Sequence, residues 1–166
     1  FRSDQLHTDS HTDPMTGLFN RRAMQQMLDD YQAQSLPLAV IALDIDHFKT
    51  INDHFGHDVG DAVIVSLATL MQQDLRADAA LCRSGGEEFL LLLPGVSGVQ
   101  AERIAERLRL RVESHEMGQA GRITISLGVA HWPGDASDLG AVLKQADKAL
   151  YQAKHRGRNC VVVAGA

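Results

Sequence analysis

Acidic residues stand at two places where the sequence otherwise indicates buried strands. Asp44 and Asp46 end the apolar run LAVIALDID, and the stretch GGEE at 85–88 precedes a second apolar run. Side chains two residues apart on a strand point to the same side, so Asp44 and Asp46 bring like charges together, which is costly unless a cation neutralises them. If the two strands are neighbours, their carboxylates form an oxygen site suited to Mg²⁺ or Mn²⁺. The spacing alone equally allows two unrelated solvated clusters, one of them on an ordinary exposed hairpin.

The residues that follow Asp46 have types that bind nucleotides. Lys49 could contact a phosphate, as could the free N–H groups of a helix N-terminus. Asn52 and Asp61 carry an amide and a carboxylate, which together can pair with the edge of a guanine base. Each also has an ordinary structural role, as a surface lysine, an N-cap and an acid in the first turn of a helix. On these residues alone both interpretations stay open.

Hydrophobic periodicity and turn residues indicate the elements that must position these groups. The first half of the chain predicts a helix with Asp13 as N-cap and Pro14 at its first position, a buried strand at 38–46, a helix opened by Asp61 and a hairpin linked by Gly85 and Gly86. The second half predicts a helix at 101–112, a half-buried strand at 122–132, a helix at 139–155 and a strand at 160–164. Glycines in the hairpin allow positive φ and let a phosphate come close, because no Cβ intrudes. Hairpins mixed with crossovers indicate an α+β fold, a central and mostly antiparallel sheet flanked by helices.

Length and charge limit the classes of function. The chain has 166 residues, a formal net charge of −5 and a pI near 5.9. One domain is expected, and the acidic balance argues against nucleic acid as the main partner. No apolar run approaches the roughly 20 residues that span a bilayer, so no direct membrane contact is expected. Cys82 and Cys160 have no disulfide or zinc spacing, which predicts small core residues in a reducing compartment.

Five stretches, taken together, resemble one family. They are DPMTGLFNRR at 13–22, the block at 44–61, GGEEF at 85–89, ITISLGVA at 123–130 and ADKALYQAKHRGRN at 146–159. In this order they resemble the GGDEF family, the diguanylate cyclases, with GGEEF as a variant of the signature. The resemblance implies a fold similar to the polymerase palm and the nucleotidyl cyclases. It also implies the condensation of two GTP into cyclic di-GMP, with release of two pyrophosphates, across a two-fold homodimer.

The resemblance also implies roles for individual residues. Two Mg²⁺ or Mn²⁺ ions per active half-site would be held by Asp44, the carbonyl of Ile45, Glu87 and Glu88. Glu87 would also activate the attacking 3′-hydroxyl, with Glu88 supporting the metal site. The residues implied in substrate binding are Phe48, Lys49, Asn52, His57, Asp61, Gly85, Gly86, Lys154 and Arg158. Lys154 and Arg158 would share one helical face if the last helix reaches that far.

The chain departs from the family at the product-inhibition motif RxxD. Here the stretch reads RADA, with Arg76 in place and Ala79 where the aspartate should stand. We therefore expect product inhibition through this motif to be weak or missing. Residues 1–12 are expected to be a linker or the end of a preceding signalling helix, and residues 13–166 the GGDEF domain.

The family's usual arrangement implies an upstream sensory or receiver domain and a location in the cytoplasm, where GTP is. Three alternatives remain. They are a regulatory domain that binds GTP or cyclic di-GMP without turnover, a cyclase with another base preference, and a pure interaction module.

Overall fold

The computed structural model describes residues 10–134 and 138–165, so the first nine residues of the expected linker lie outside the described part. Within it the helices are α1 (Arg21–Ala33), α2 (Phe48–Phe55), α3 (His57–Gln72), α4 (Gly98–Glu113) and α5 (Leu139–His155). The strands are β1 (Leu38–Ile45), β2 (Ala80–Arg83), β3 (Glu88–Pro94), β4 (Ile125–Trp132) and β5 (Val161–Val163). In this described part, no helix is long and apolar enough to cross a membrane.

The strands form one sheet in the order β2-β3-β1-β4-β5. β1 pairs antiparallel with β3 and β4, β2 pairs antiparallel with β3, and β5 lies parallel to β4. This confirms the predicted α+β fold with a mostly antiparallel central sheet.

Helices cover both faces of the sheet. α3 and α4 pack on the face that carries Ile41 and Leu43 of β1. α1 and α5 pack on the opposite face, against Val40 and Ala42. Every residue of β1 is buried, as its continuous apolar run predicts for a central strand. The acids at its C-terminal end are therefore held by the most enclosed strand of the molecule.

The prediction that the strand at 122–132 is half-buried is wrong. β4 begins at Ile125 and is buried along nearly its whole length, because α5 packs directly on the face that carries its small residues. A Cβ on Gly128 would lie 2.3 Å from the carbonyl oxygen of Ala146 and 2.3 Å from the nitrogen of Leu150. Small residues here permit a close helix rather than marking a solvent face.

The predicted start of the first helix at Asp13 and Pro14 is also wrong. Asp13 closes a turn instead, accepting hydrogen bonds from the N–H and hydroxyl of Thr16 at 2.9 and 2.7 Å. Gly17 then takes a φ of 74°, which ends any helical course. α1 begins only at Arg21, where the side chain of Asn20 accepts from the N–H of Ala23. An Asx-type turn and an N-cap use the same side-chain chemistry, so the sequence pattern did not separate them.

Asp61 does not open a helix, which corrects a second prediction. The segment after β1 forms two helices, α2 and α3, and Asp61 lies beyond the first turn of α3. Gly56 separates the helices with φ 94° and ψ 164°, a conformation that favours glycine. The apolar stripe that predicted the helix covers only the part of α3 that faces the core.

The hairpin link is longer than the predicted two residues. β2 ends at Arg83 and β3 begins at Glu88, so the link is the four residues 84–87. The N–H groups of Ser84 and Gly85 both donate to the carbonyl of Glu88, at 3.0 and 3.2 Å. Neither Gly85 nor Gly86 has a positive φ. The glycines therefore leave room at the hairpin link, because they lack a Cβ, and are not needed for a left-handed backbone conformation.

The remaining helix predictions hold in outline. α5 spans the predicted 139–155. α4 begins three residues earlier than predicted because Ser97 and Gln100 form a reciprocal capping box. The last strand is confirmed, although β5 is shorter than the predicted 160–164. Cys82 is fully buried, as predicted, and Cys160 is partly exposed.

Candidate active site

The two acidic segments meet at one end of the sheet. Asp44 of β1 is directly opposite Glu88 of β3 in the antiparallel register. One residue further, the N–H of Ile45 donates to the carbonyl of Glu87 at 3.4 Å. The sequence left open whether the two acidic strands are neighbours, and the structure shows that they pair.

Asp44 is a buried carboxylate with one oxygen paired and one not. Its side chain is 6% exposed. Lys154 donates to Oδ2, whereas Oδ1 is buried without a hydrogen-bond partner in the described part of the chain. Burial raises the pKa of Asp44, Lys154 lowers it, and the charges of Glu88 and Asp46 raise it further. The net shift is upward, so the ionised form lacks sufficient compensation from the protein alone.

The hairpin adds two further carboxylates and an open surface. Burial, followed by the charge of Asp44, raises the pKa of Glu87. Glu88 is exposed at the first position of β3. A Cβ on Gly86 would meet no atom within 4 Å, whereas one on Gly85 would lie 3.1 Å from Oε2 of Glu88. Glu87 thus lies beside a bare stretch of backbone that a ligand could approach closely.

The donor set fits a hard divalent cation. Asp44 Oδ1 is a buried acceptor without a hydrogen-bond partner among the described residues, and the Asp44 carboxylate lies close enough to Glu87 for its charge to raise the pKa of Glu87. In the described residues, no three His, Cys, Asp or Glu side chains converge as a ready-made cage. Mg²⁺ and Mn²⁺ commonly complete their shells with water, backbone oxygen and substrate phosphates. An incomplete protein shell is therefore compatible with a site of that kind.

The α2–α3 corner places the candidate base-binding residues on consecutive helices. Asn52 of α2 packs directly on Gly60 of α3, where a Cβ would come within 1.8 Å of Asn52 Oδ1. That oxygen is buried and has no hydrogen-bond partner in the described part. His57 and Asp61 are exposed on α3. An amide oxygen without a partner is an available acceptor for a ligand.

The start of α2 lies directly after the acidic end of β1. His47, the N-cap residue, has a φ of 56° and makes no side-chain cap. Phe48 is partly buried and Lys49 is exposed in the first turn. The first helix N-terminus after Asp46 is therefore that of α2, which the sequence pattern did not predict, and Lys49 lies in its first turn.

Lys154 and Arg158 do not share a helical face, which corrects that expectation. α5 ends at His155, and Gly157 and Arg158 have φ values of 112° and 65°. Lys154 contacts Asp44, whereas Arg158 is exposed in the turn that follows the helix. The helix ends before Gly157, so Arg158 is not part of it and cannot lie one helical turn above Lys154.

Asp46 has a different environment from Asp44. Ser126 donates to its Oδ1 at 2.6 Å, and Thr124 donates to its Oδ2 at 2.7 Å. The backbone N–H of Asn159 also donates to Oδ2, at 2.9 Å. Sequence reasoning missed these three partners. The signal was available only for Ser126, a hydroxyl at a fully buried position in an apolar strand.

Arg83, which the sequence analysis also missed, fixes the tip of the hairpin. Its Nη2 and Nε donate to the carbonyl of Gly86 at 2.7 and 3.2 Å. Its Nη1 contacts both carboxylate oxygens of Asp13 at 3.2 Å. The side chains of Arg83 and Asp13 are 14% and 18% exposed. Arg83 therefore joins the glycine link to the N-terminal turn.

Fold and site define a class, an α+β domain with carboxylates from two paired strands at one end of its sheet. The family described as "Diguanylate cyclase, GGDEF domain" matches residues 10–160. The chain therefore belongs to the GGDEF family.

Known relatives agree with this assignment. The chain is 43% identical over 160 residues to the response regulator PleD of Caulobacter vibrioides, covering 91% of this chain and 35% of PleD. It thus spans about a third of that protein's length. A structure of the coiled coil and GGDEF domain of DgcB from Caulobacter crescentus in complex with c-di-GMP has a TM-score of 0.91 at 31% identity, covering 98% of this chain and 90% of that one. The active GGEEF domain of a diguanylate cyclase from Vibrio cholerae has a TM-score of 0.81 at 34% identity, covering 89% and 97%.

Proposed function

We propose that this chain is a diguanylate cyclase domain, which condenses two GTP into cyclic di-GMP and releases two pyrophosphates in bacterial second-messenger signalling. One observation carries the proposal. In a chain of the GGDEF family, the buried Asp44 lies opposite Glu88 in the sheet and close enough to Glu87 to raise its pKa, and Glu87 follows the open backbone of Gly86. The similar domains that are named as an active cyclase or that hold c-di-GMP support the same chemistry here.

The reaction requires a base and precise placement. The 3′-hydroxyl of one GTP attacks the α-phosphorus of the other, so that one P–O bond forms and the bond to pyrophosphate breaks. The hydroxyl proton passes to a base, for which Glu87 is our candidate, because its carboxylate follows the open glycine link of the hairpin. The same step in the opposite direction closes the ring.

Asp44, the Ile45 carbonyl, Glu87 and Glu88 would hold two Mg²⁺ or Mn²⁺ ions in each half-site. When bound, such ions stabilise charge on the entering and leaving oxygens. The chain's own part is to bury Asp44 at the end of β1 and to hold the backbone of Ile45 against that of Glu87. The unpaired Oδ1 of Asp44 supports this assignment, since a cation would give it a partner.

The proposed GTP contacts follow the same surface. Phe48 and Lys49 at the start of α2, with Lys154 and Arg158 after β4, would bind phosphates. The proposed contacts to guanine and ribose are Asn52, His57 and Asp61. Gly85 and Gly86 would leave room for the nucleotide. Weak product inhibition through the RADA stretch stays a prediction. In the structure, Arg76 of this stretch pairs with Asp78 at 3.0 Å.

Turnover would need two copies of the domain. If each copy holds one GTP, the two sites must face each other across a two-fold axis. We place residues 13–166 in the cyclase domain, and an upstream sensory or receiver domain would bring two copies together in the cytoplasm. For the chain alone, association depends on protein concentration.

The test is product analysis after incubation with GTP and Mg²⁺ at several protein concentrations. We expect cyclic di-GMP at a rate that rises more than linearly with protein concentration. Glu87→Gln should lower the rate by at least about a hundredfold, which is the usual effect of losing a catalytic base. Glu102→Gln makes the same chemical change at an exposed position of α4 and should leave the rate unchanged.

Other results would select among the alternatives. Absence of product with GTP still bound would indicate either a regulatory domain or a missing dimerising partner. Fusing a dimerisation segment to the chain distinguishes the two, because it should restore product only in the second case. Absence of GTP binding would contradict the site assignment. Another cyclic nucleotide as the main product would contradict the guanine contacts.

A further inference from the structure

The turn after α5 has an unusual backbone. Three consecutive residues, Gly157, Arg158 and Asn159, have φ values of 112°, 65° and 47°. Left-handed backbone is open to glycine but unfavourable for other residues, although asparagine tolerates it better than most. Arg158 and Asn159 therefore keep this conformation only where surrounding contacts hold it.

Asn159 is held on three sides. Its backbone N–H donates to Asp46 Oδ2 at 2.9 Å. Its side-chain oxygen accepts from Nη1 of Arg109 at 3.0 Å, and its side-chain amide donates to Glu113. Both helical residues belong to α4, which is 46 to 50 positions earlier in the chain. The turn is thus anchored to the end of β1 and to α4 together.

Arg109 is itself fixed. Its Nε contacts both carboxylate oxygens of Glu106, at 3.0 and 3.1 Å, and its side chain is only 16% exposed. A guanidinium held in a two-point contact has little freedom left to lose, so it presents Nη1 in one direction. The same Nη1 also reaches the backbone carbonyl of Asn159 at 3.5 Å.

We propose that Arg109 is a positioning residue for the phosphate-binding turn. By holding Asn159, it keeps residues 157–159 in the left-handed course that presents Arg158 to the phosphates of GTP. This inference rests on the proposed function, because it takes Arg158 as a phosphate ligand. Arg109 does not itself belong to the proposed set of GTP contacts.

A purely structural role for Arg109 would give different behaviour. Arg109 would then tie α4 to the rest of the molecule, and its loss would lower stability without a specific effect at Arg158. Arg111 provides a matched control, because it lies on the same helix but pairs with Asp74 and Gln73 of the α3 side.

The first measurement tests the turn independently of any activity. Amide hydrogen exchange of the Asn159 N–H, followed by NMR, reports whether its bond to Asp46 persists. We expect Arg109→Ala to lower protection of this amide at least about tenfold, because it removes one charge-assisted hydrogen bond to the turn. Arg111→Ala should leave that amide unchanged. Unchanged protection in folded Arg109→Ala would overturn the proposal.

The second measurement tests the link to Arg158. The dissociation constant is measured with 3′-deoxy-GTP and Mg²⁺, since this nucleotide lacks the attacking hydroxyl and cannot turn over. We expect Arg109→Ala and Arg158→Ala each to weaken binding about tenfold, and the double variant to be no weaker than Arg158→Ala alone. Arg109→Lys, which keeps the charge but not the two-point contact, should fall between wild type and Arg109→Ala.

Each remaining outcome decides the matter. Effects that add in the double variant would overturn the proposal and favour a general structural role. Unchanged binding in Arg158→Ala would remove the phosphate role of Arg158 and, with it, the proposal. Nucleotide binding that follows the expected pattern in a chain that yields no cyclic di-GMP would support the positioning role while contradicting the proposed turnover.

Discussion

Asp44 and Asp46 are two residues apart and have opposite environments. Asp46 accepts hydrogen bonds from Ser126, Thr124 and the N–H of Asn159. Asp44 has Lys154 on one oxygen and no partner for the other in the described part of the chain. Hydrogen bonding satisfies Asp46 within the protein, whereas Asp44 keeps a free acceptor. We therefore expect Asp46 to stabilise the fold and keep Asp44 as the proposed ligand-binding carboxylate.

This difference predicts opposite effects of the same substitution. In EDTA, Asp44→Asn should raise the free energy of unfolding by about 1 kcal/mol, because it removes a costly buried charge. Asp46→Asn should lower it by about 1–3 kcal/mol, because the NH2 group replaces one of two accepting oxygens and a neutral amide is a weaker acceptor than a carboxylate. Urea unfolding at pH 7 with EDTA measures both values. Strong destabilisation by Asp44→Asn would show that the Lys154 contact is structurally essential.

At the scale of elements, the α2–α3 corner depends on one glycine. Gly60 leaves just enough room for the Asn52 side chain, since a Cβ there would lie 1.8 Å from Asn52 Oδ1 and 3.2 Å from the Phe48 ring. Helix α3 itself would accept alanine, which favours helix by up to about 1 kcal/mol over glycine. The constraint therefore comes from the contact between helices and not from the backbone.

Gly60→Ala should accordingly displace Asn52 and weaken nucleotide binding. We expect at least about a tenfold loss of affinity, the value of one hydrogen bond to a buried partner, with a smaller change in stability. Titration calorimetry with 3′-deoxy-GTP measures the effect. Gly98→Ala is the control, because a Cβ at that helical position meets only His131 at 3.8 Å. Equal affinity in both variants would exclude Asn52 from the binding surface.

At the scale of the whole molecule, the Asp13–Arg83 pair joins segments 70 residues apart. Burial by itself raises the pKa of Asp13, but hydrogen bonds from Thr16 and Arg83 outweigh it and leave the pKa below its ordinary value. Arg83 also holds the carbonyl of Gly86. The N-terminal turn thereby supports the hairpin that carries the acidic signature.

This pair should stabilise the fold in a pH-dependent way. Because the pKa of Asp13 is lower in the folded chain, its contribution is present above the ordinary carboxyl value of about 3.9 and is lost as the pH falls through the folded pKa. Asp13→Asn should lower the free energy of unfolding by about 2 kcal/mol at pH 7, and its difference from wild type should shrink towards pH 3. Urea unfolding across this range measures it.

The exposed pair Arg76–Asp78 provides the control, with both side chains 52% exposed. Asp78→Asn should change stability by less than about 1 kcal/mol at any of these pH values, as exposed ion pairs usually do. A difference for Asp13→Asn that stays constant from pH 7 to pH 3 would contradict the charged interaction and indicate a loss of the turn alone.

The sequence by itself determined the family, the central strand and the location of the acids. The continuous apolar run of β1 predicts a buried central strand. The motif at 85–89 is recognisable from its glycines and glutamates alone. Helix ends were less predictable. Asp13 and Asp61 have the side chains of helix starts, but Gly17 and Gly56 redirected the chain, and local competition of this kind has no periodic signal.

Only the tertiary structure decided which carboxylate is free and which is satisfied. Asp46 obtains its partners from positions 78, 80 and 113 residues away, and Asp44 meets Lys154 at a separation of 110. Hydrogen-bond partners and burial come from segments that sequence patterns treat separately. The acids could be identified as residues, but their burial, their hydrogen-bond partners and the upward pKa shifts of Asp44 and Glu87 follow from how the sheet and its helices bring those segments together.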